Sequence, residues 1–278
     1  MTGQPLNSAR VLLTGDFQRP EFQAAVTWLR TTADVDSCAN LHDATEHLGQ
    51  MNADPHLLVV AQSYPDQFSA RQIEQLHRTA PLARIVALLG SWCEGEARSG
   101  RPWPGVMRIY WHQFESRLSP LLGEYPDFQT IANLPRTSSN TEQLGGGHVP
   151  HSGQYRGLVA IRTSIYNDYE ALGESLGQIG YSNVWLNDVG WRDLPRATAI
   201  VWDGSYWDGS NPAQTAELRH LCDAAPVIAL MNFPRHHEVL HLREAGVSAI
   251  VSRPFLIDDL QYQIDRMASR TQPARQVA

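Results

Sequence analysis

The chain has 278 residues, of which 42% are apolar, so each half is long and apolar enough to build a core of its own. The formal net charge of −7 and a pI near 5.9 argue against a surface that binds nucleic-acid phosphates. No apolar stretch approaches the roughly 18 residues that a membrane span needs, so we expect a soluble, cytoplasmic protein.

Short apolar runs alternate with amphipathic segments through the first half of the chain. The predicted strands lie at 11–13, around 35, and at 57–60, 84–89 and 106–110. The predicted helices cover 21–30, 41–51, 69–79 and 113–122. Continuously apolar strands that alternate with helices indicate a parallel sheet covered on both faces.

The second half repeats this order of elements. The predicted strands lie at 158–161, 184–186, 199–202, 227–231 and 249–251. The predicted helices cover 169–179, 212–224, 234–245 and 257–267, and Asn211 is the expected N-cap of the second of these. Five β–α units in each half predict an α/β protein with two doubly wound, five-stranded parallel sheets in tandem.

A linker-like stretch separates the two halves. Residues 123–156 contain Pro126, Pro135 and the run Gly145-Gly146-Gly147, and their apolar residues follow no sustained period. We therefore predict domains at 1–122 and 157–270, joined by a linker over 123–156. Residues 271–278 are predicted to be a disordered tail.

Lysine and cysteine usage excludes several kinds of chemistry. Every basic residue is arginine, which rules out a Schiff-base lysine and a Walker-type phosphate lysine. The three cysteines, Cys38, Cys93 and Cys222, are too dispersed for a disulfide framework or a paired zinc site. This usage suits an intracellular, reducing environment.

Residues 242–255 (LREAGVSAIVSRPF) resemble the end of a response-regulator receiver domain. In that family a helix ends in Ala-Gly, a short strand follows, and Lys-Pro-Phe leads into the last helix. Arg253 stands here in place of the lysine, and Asp258 and Asp259 open the last helix, as is common in receivers. The resemblance implies a flavodoxin-like, receiver-like fold, and the order of elements extends this expectation to the first half.

The resemblance also implies a phosphorylation site at the carboxyl ends of the strands. Asp203 matches the phosphoacceptor on the third strand, Asn232 sits where Ser or Thr is expected, and Arg253 replaces the paired lysine. The first strand runs into Thr163 and lacks the usual pair of acids that holds Mg²⁺. Asp168 is the nearest carboxylate, and we assign it to the start of the next helix.

Without the acid pair, Mg²⁺ loses most of its protein ligands. This favours a turn or cap role for Asp203 beside Gly204 over a role in phosphorylation. We therefore predict no cofactor, with Mg²⁺ required only if Asp203 is a working phosphoacceptor.

The first half resembles a receiver only in the order of its elements. Asp16 follows the first strand and could replace one metal-binding acid, whereas Gln62 occupies the end of the third strand, where the phosphoacceptor is expected. Trp111 and His112 fall where lysine and proline would be. These residues predict no phosphotransfer in this half.

An aromatic cluster follows the fourth strand of the first half. Its candidate binding residues are Trp92, Cys93, Glu94, Arg101 and Trp103, with Trp111 and His112 from the adjacent strand end. Asp16 and Gln62, at the ends of the first and third strands, belong to the same candidate surface. Such a mixture is typical of surfaces that bind a ligand or a partner peptide. The alternative is a rigid Pro/Gly loop that replaces the fourth helix, with tryptophans covering the sheet edge. A Cys93–His112 nucleophilic pair is disfavoured, since nothing in the sequence sets the distance between them.

These observations predict a non-catalytic signalling or scaffolding protein of pseudo-receiver domains that acts through contacts with a protein partner. One alternative is an atypical response regulator that is phosphorylated at Asp203. Another is a protein that binds a small ligand at the Trp92–Trp111 edge. We expect neither nucleic acid nor membrane as a partner. The sequence leaves open a homodimer and a pseudo-twofold pairing of the two domains within one chain.

Overall fold

A computed structural model of the chain describes residues 9–52, 54–94, 103–122, 155–187 and 197–271. The chain divides into two compact units between Gly146 and Gly147, called here the first and the second domain. The predicted linker at 123–156 and the predicted tail at 271–278 lie almost wholly outside the described residues, so their bounds stay predictions. Within the described ranges, no helix is both long and apolar enough to cross a membrane.

The first domain contains one five-stranded parallel sheet. Its strands are β1 (Arg10–Gly15), β2 (Asp34–Cys38), β3 (Leu57–Gln62), β4 (Arg84–Leu89) and β5 (Val106–Tyr110). Its described α-helices are α1 (Gln23–Thr32), α2 (Leu41–Gln50), α3 (Ala70–Thr79) and α4 (Phe114–Leu122), with short 3₁₀ turns at Pro20–Phe22, Ser91–Cys93 and Trp111–Gln113. The order of strands across the sheet is β2-β1-β3-β4-β5.

The second domain repeats this architecture. Its strands are β6 (Gly157–Arg162), β7 (Tyr181–Trp185), β8 (Ala199–Asp203), β9 (Val227–Asn232) and β10 (Ala249–Arg253). Its described helices are α5 (Tyr166–Gln178), α6 (Pro212–Ala224), α7 (His236–Glu244) and α8 (Ile257–Thr271). The order of strands is β7-β6-β8-β9-β10. Both sheets thus have the flavodoxin-like order 2-1-3-4-5, which confirms the predicted fold class.

The central strands are buried on both faces, as parallel sheets flanked by helices require. Every residue of β3 is buried, and β8 is buried up to Asp203. The edge strand β2, with the sequence Asp-Val-Asp-Ser-Cys, has no fully buried residue, which suits an edge position. Strands β3 and β8 each end in a polar residue at the carboxyl edge of their sheet. Folds of this type place their functional sites at that edge.

Helix bounds follow local capping. The Asn211 side chain accepts hydrogen bonds from the backbone N–H groups of Ala213 and Gln214, which confirms it as the N-cap of α6. Helix α5 begins at Tyr166, earlier than predicted, so Asp168 lies in its first turn. Helix α8 continues to Thr271, beyond the predicted end at 267.

A polar network holds α8 against the amino end of the second sheet. The Tyr181 hydroxyl donates a hydrogen bond of 2.5 Å to Asp265 Oδ1, and Arg156 Nη2 lies 2.6 Å from Asp265 Oδ2. Burial and the bond to Asp265 raise the pKa of Tyr181 above its ordinary value. The Arg156 guanidinium also lies over the Tyr181 ring, 5.3 Å from its centroid.

Candidate functional site

Asp203 is the last residue of β8 and lies at the carboxyl edge of the second sheet. Its side chain is 3% exposed, and each carboxylate oxygen has a donor. Thr163 Oγ1 donates to Oδ2 at 3.0 Å, and the backbone N–H of Ser205 donates to Oδ1 at 3.1 Å. Arg253 Nη1 lies 3.2 Å from Oδ1. A carboxylate removed from water in this way needs such charged and polar partners.

Arg253 reaches Asp203 from the end of β10 and contacts two further groups. Its Nη1 donates to Ser205 Oγ at 2.7 Å and lies 3.6 Å from Asp168 Oδ2. One guanidinium therefore stands between two carboxylates. The sequence predicted Asp168 at the start of a helix. In the structure the first turn of this helix lies at the same sheet edge as Asp203.

Thr163 directly follows β6 and is held in a defined orientation. Its Oγ1 accepts a bond of 3.2 Å from the backbone N–H of Ile165, so its own proton is directed to Asp203. Its carbonyl accepts a bond of 3.0 Å from Trp185 Nε1. In the sequence Thr163 stands out only as a residue in place of an expected acid, so its role as a donor was not predicted.

Ser205 was not predicted either, although the sequence carries a signal for it. An Asp whose carboxylate accepts from the N–H two residues later forms an Asx turn, and Asp203-Gly204-Ser205 is suited to one. The 3.1 Å bond from the Ser205 N–H to Asp203 has this pattern. The predicted turn role of Asp203 and its contact with Arg253 thus occur together.

Asn232 lies apart from the Asp203 network. It is the last residue of β9 and pairs in register with Arg253, but its side chain is exposed. Phe233 follows with a φ of 48°, an uncommon conformation for a residue other than glycine. Of the three positions predicted from the family, the structure brings together Asp203 and Arg253.

The residues around Asp203 do not fit Mg²⁺, which the receiver resemblance implies. Mg²⁺ prefers carboxylate oxygens and water in octahedral geometry. Thr163 offers a hydroxyl where an acid is expected, and the Arg253 cation lies against the Asp203 carboxylate. Among the described residues there is no group of three His, Cys, Asp or Glu side chains arranged to hold a metal ion.

The strand registers align the two domains. Gln62 ends β3 and Asp203 ends β8, so we align these two residues. The pairing of β3 with β4 and of β4 with β5 then repeats residue for residue in β8, β9 and β10. When this alignment is continued two residues beyond Tyr110, His112 corresponds to Arg253.

At the first-domain edge the acid follows the first strand, and the third strand does not end in one. The β1–β3 and β6–β8 registers place Asp16 at the position of Thr163. Asp16 Oδ2 accepts a bond of 2.7 Å from Ser63 Oγ, while the Gln62 amide donates to the Tyr64 carbonyl at 3.1 Å. The end of the third strand in this domain thus carries no carboxylate.

His112 is paired with the loop that follows β4. Its Nε2 lies 2.7 Å from Glu94 Oε1, and the two side chains are 2% and 5% exposed. Its Nδ1 is buried with no hydrogen-bond partner. Tyr110 stacks on the imidazole at 5.9 Å, and its hydroxyl donates to the Glu94 carbonyl at 3.3 Å. The imidazole that follows β5 is therefore paired with a carboxylate from the loop after β4, within the first domain.

The remaining residues of the predicted aromatic cluster do not form one continuous surface. Trp92 is 67% exposed, whereas Trp111 is buried and Trp103 packs 6.3 Å from the Phe68 ring. Arg101 lies outside the described residues, as do the other residues of 95–102 in the loop predicted to replace the fourth helix. Cys93 is fully buried.

Cys93 and His112 have different hydrogen-bond partners. Its Sγ lies 3.6 Å from the carbonyl oxygen of Gln62, whereas His112 contacts Glu94. These contacts do not form the nucleophile–base pair that thiol catalysis needs.

A buried carboxylate that the sequence did not reveal completes this edge. Glu21 Oε1 accepts from the backbone N–H of Ser91 at 3.0 Å, and Oε2 accepts from its hydroxyl at 3.3 Å. A Cβ at Gly90 would lie 2.4 Å from Glu21 Oε1, so a larger residue there would displace the Glu21 carboxylate from its place beside Ser91. Under the same alignment, Ser91 corresponds to Asn232.

Both domains have the receiver-type fold. The strand order assigns it. No protein-family model matches the chain, and no curated protein does. Similar solved structures include the receiver domain of a Francisella response regulator, at 17% identity over 42% of this chain and 100% of that chain, with a TM-score of 0.36.

Two further solved structures are similar to the chain at the same level. A response regulator from Thermotoga maritima shares 13% identity, covering 40% of this chain and 97% of that one, with a TM-score of 0.35. A CheY-like protein from Pseudomonas aeruginosa PAO1 shares 17% identity, covering 40% of this chain and 99% of that one, with a TM-score of 0.35.

Proposed function

We propose that this chain is a signalling or scaffolding protein that acts through protein–protein contacts and performs no phosphotransfer. The observation that carries the proposal is the state of Asp203, whose nearly buried carboxylate is bonded to Thr163, Ser205 and Arg253. The receiver-type fold of both domains suggests signalling. The cytoplasmic location expected from the sequence remains part of this proposal.

Phosphoryl transfer to an aspartate needs an accessible oxygen and a cation that neutralises charge on the incoming group. At Asp203 one oxygen accepts from Thr163, and the other faces both Ser205 and Arg253. In the first domain the equivalent residue is Gln62, which carries no carboxylate. Both edges therefore favour a role in binding over a role in phosphorylation.

A phosphodonor assay tests this proposal. The full chain is incubated with acetyl phosphate and Mg²⁺, in parallel with a working receiver as positive control, and the intact mass is measured. We expect no gain in mass on this chain under conditions that phosphorylate the control. A phosphoryl group that appears on the wild type and is absent from Asp203→Asn would contradict the proposal.

The second candidate is an atypical response regulator phosphorylated at Asp203. The observation in its favour is that Asp203 ends the third strand of its domain with a cation, Arg253, 3.2 Å away. The same assay separates the two functions, because a working phosphoacceptor gains mass and loses it again on hydrolysis. Asp203→Asn should then abolish the regulatory output, whereas a scaffold should keep its partner affinity.

A further inference from the structure

We infer that the Arg253 guanidinium is the built-in counter-ion of Asp203 and fills the role that a divalent cation has in a working receiver site. Arg253 and Mg²⁺ then compete for one carboxylate. The inference concerns how the edge balances its charge, and it holds whichever partner the protein binds.

The burial of Asp203 requires a cation. Its side chain is almost completely removed from water, and an ionised carboxylate in that environment is strongly unfavourable unless it is paired. The hydrogen bonds from Thr163 and Ser205 satisfy its lone pairs but bring no net charge. The Arg253 ion pair supplies the missing positive charge at 3.2 Å.

The geometry of Arg253 suits a fixed counter-ion. Its Nη1 lies 3.2 Å from Asp203 and 2.7 Å from Ser205 Oγ, and Asp168 is 3.6 Å away. The guanidinium thus joins the end of β10 to the loop after β8 and to the first turn of α5. A planar group with five donors can hold several oxygens in fixed directions, which the compact ammonium of lysine does less well.

Thr163 contributes by removing a negative charge. An acid at this position would place a second carboxylate beside Asp203 and would create demand for a doubly charged ion. The threonine hydroxyl donates to Asp203 instead, so a single positive charge is enough. Thr163 and Arg253 therefore act together, and reversing both should restore a cation site.

The test is Mg²⁺ titration of the full chain, followed by calorimetry and by backbone amide NMR, at constant ionic strength and without phosphodonor. Wild type should show no saturable binding up to about 10 mM Mg²⁺. The double variant Thr163→Asp with Arg253→Gln should bind Mg²⁺ at least about ten-fold more tightly, since it offers two carboxylates and no competing cation. The shifted amides should lie around residues 163 and 203.

The matched control is Thr163→Asp with Arg219→Gln. Arg219 is an exposed residue of α6, so this variant has the same overall charge but keeps the Arg253 cation. It should bind Mg²⁺ no better than wild type. Saturable wild-type binding that Asp203→Asn abolishes would overturn the inference, and so would a folded double variant with no gain in affinity.

If the double variant does not fold, Arg253→Gln alone decides the question. Removing the guanidinium should by itself increase Mg²⁺ affinity over wild type, and a folded Arg253→Gln protein with no such increase overturns the inference. The result is separate from that of the acetyl phosphate assay, because cation binding and phosphorylation are measured independently.

Discussion

The carboxyl edges of the two sheets share one backbone register but balance their charges differently. In the second domain, Asp203 on the third strand pairs with Arg253 on the fifth. In the first domain the third strand ends in Gln62, and the base that follows the fifth strand, His112, pairs with Glu94 from the loop after β4. Both domains therefore have a basic side chain at this edge. Its acidic partner comes from the third strand in the second domain and from the loop after β4 in the first.

The difference teaches that burial, rather than ancestral chemistry, dictates which groups are paired at these edges. Asp203, His112 and Glu94 are all nearly inaccessible to water, and each has its partner within its own domain. A buried group that ionises or hydrogen-bonds must be satisfied locally, whatever its original role. Variants can test whether burial gives these pairs their importance.

The largest expected effect is in the second domain. Arg253→Met should lower the free energy of unfolding of that domain by about 3 kcal/mol, because it leaves Asp203 buried without a counter-ion. Native-state hydrogen exchange of β8 and β10 amides measures the loss in this domain separately from the first. Arg219→Gln, which removes a charge from an exposed helix position, is the control and should change little. If Arg253→Met lowered the free energy of unfolding by less than about 1 kcal/mol, burial would not explain the pairing at the second edge.

The next effect is in the first domain. Glu94→Leu should destabilise it by about 2 kcal/mol, because His112 then has neither ring nitrogen hydrogen-bonded in a buried site. Hydrogen exchange of β4 and β5 amides reports this change, while β8 and β10 should be unaffected. Equal protection loss in both domains would show that the edges are not independent.

A smaller effect is expected away from both edges, at the amino end of the second sheet. Tyr181→Phe removes the 2.5 Å bond to Asp265 and should lower stability by about 1.5 kcal/mol near neutral pH. Because the pKa of folded Tyr181 is raised, this contribution is present below the unfolded value of about 10 and is lost as the pH rises above it. The stability of Tyr181→Phe should therefore fall less steeply than that of wild type above that pH, as urea unfolding at each pH can measure.

The smallest effect is expected for an exposed pair of the same type as His112 and Glu94. His47 Nε2 lies 3.9 Å from Asp36 Oδ2, and both side chains are exposed. Asp36→Asn should change the free energy of unfolding by less than about 0.5 kcal/mol. A loss close to that of Glu94→Leu would mean that burial is not what gives the His112 pair its importance.

The sequence was sufficient to predict the fold because its strands are continuously apolar. The bounds predicted for β4 and β5 agree with the structure, and the order of elements in both halves is confirmed. The edge strand β7 was predicted less well, since the polar Ser182 and Asn183 in its first half gave no apolar signal. Periodicity reports burial, and half-exposed edge strands carry little of it.

From the sequence, only the charged residues of the site could be predicted. Asp203 and Arg253 follow apolar strands and stand out by position, whereas Thr163 and Ser205 are neutral residues common in any loop. The residues after β5, Trp111-His112-Gln113, contain no match to the Lys-Pro-Phe motif, so the sequence alone did not align His112 with Arg253. Partnerships between distant segments, such as His112 with Glu94, depend on tertiary contacts that a single sequence does not encode in its pattern.

The shared register also has a practical consequence. The same number of residues separates Gln62 from His112 and Asp203 from Arg253. The segments between these residues are therefore interchangeable in length. Chimeras that exchange them would join the strands without any insertion or deletion.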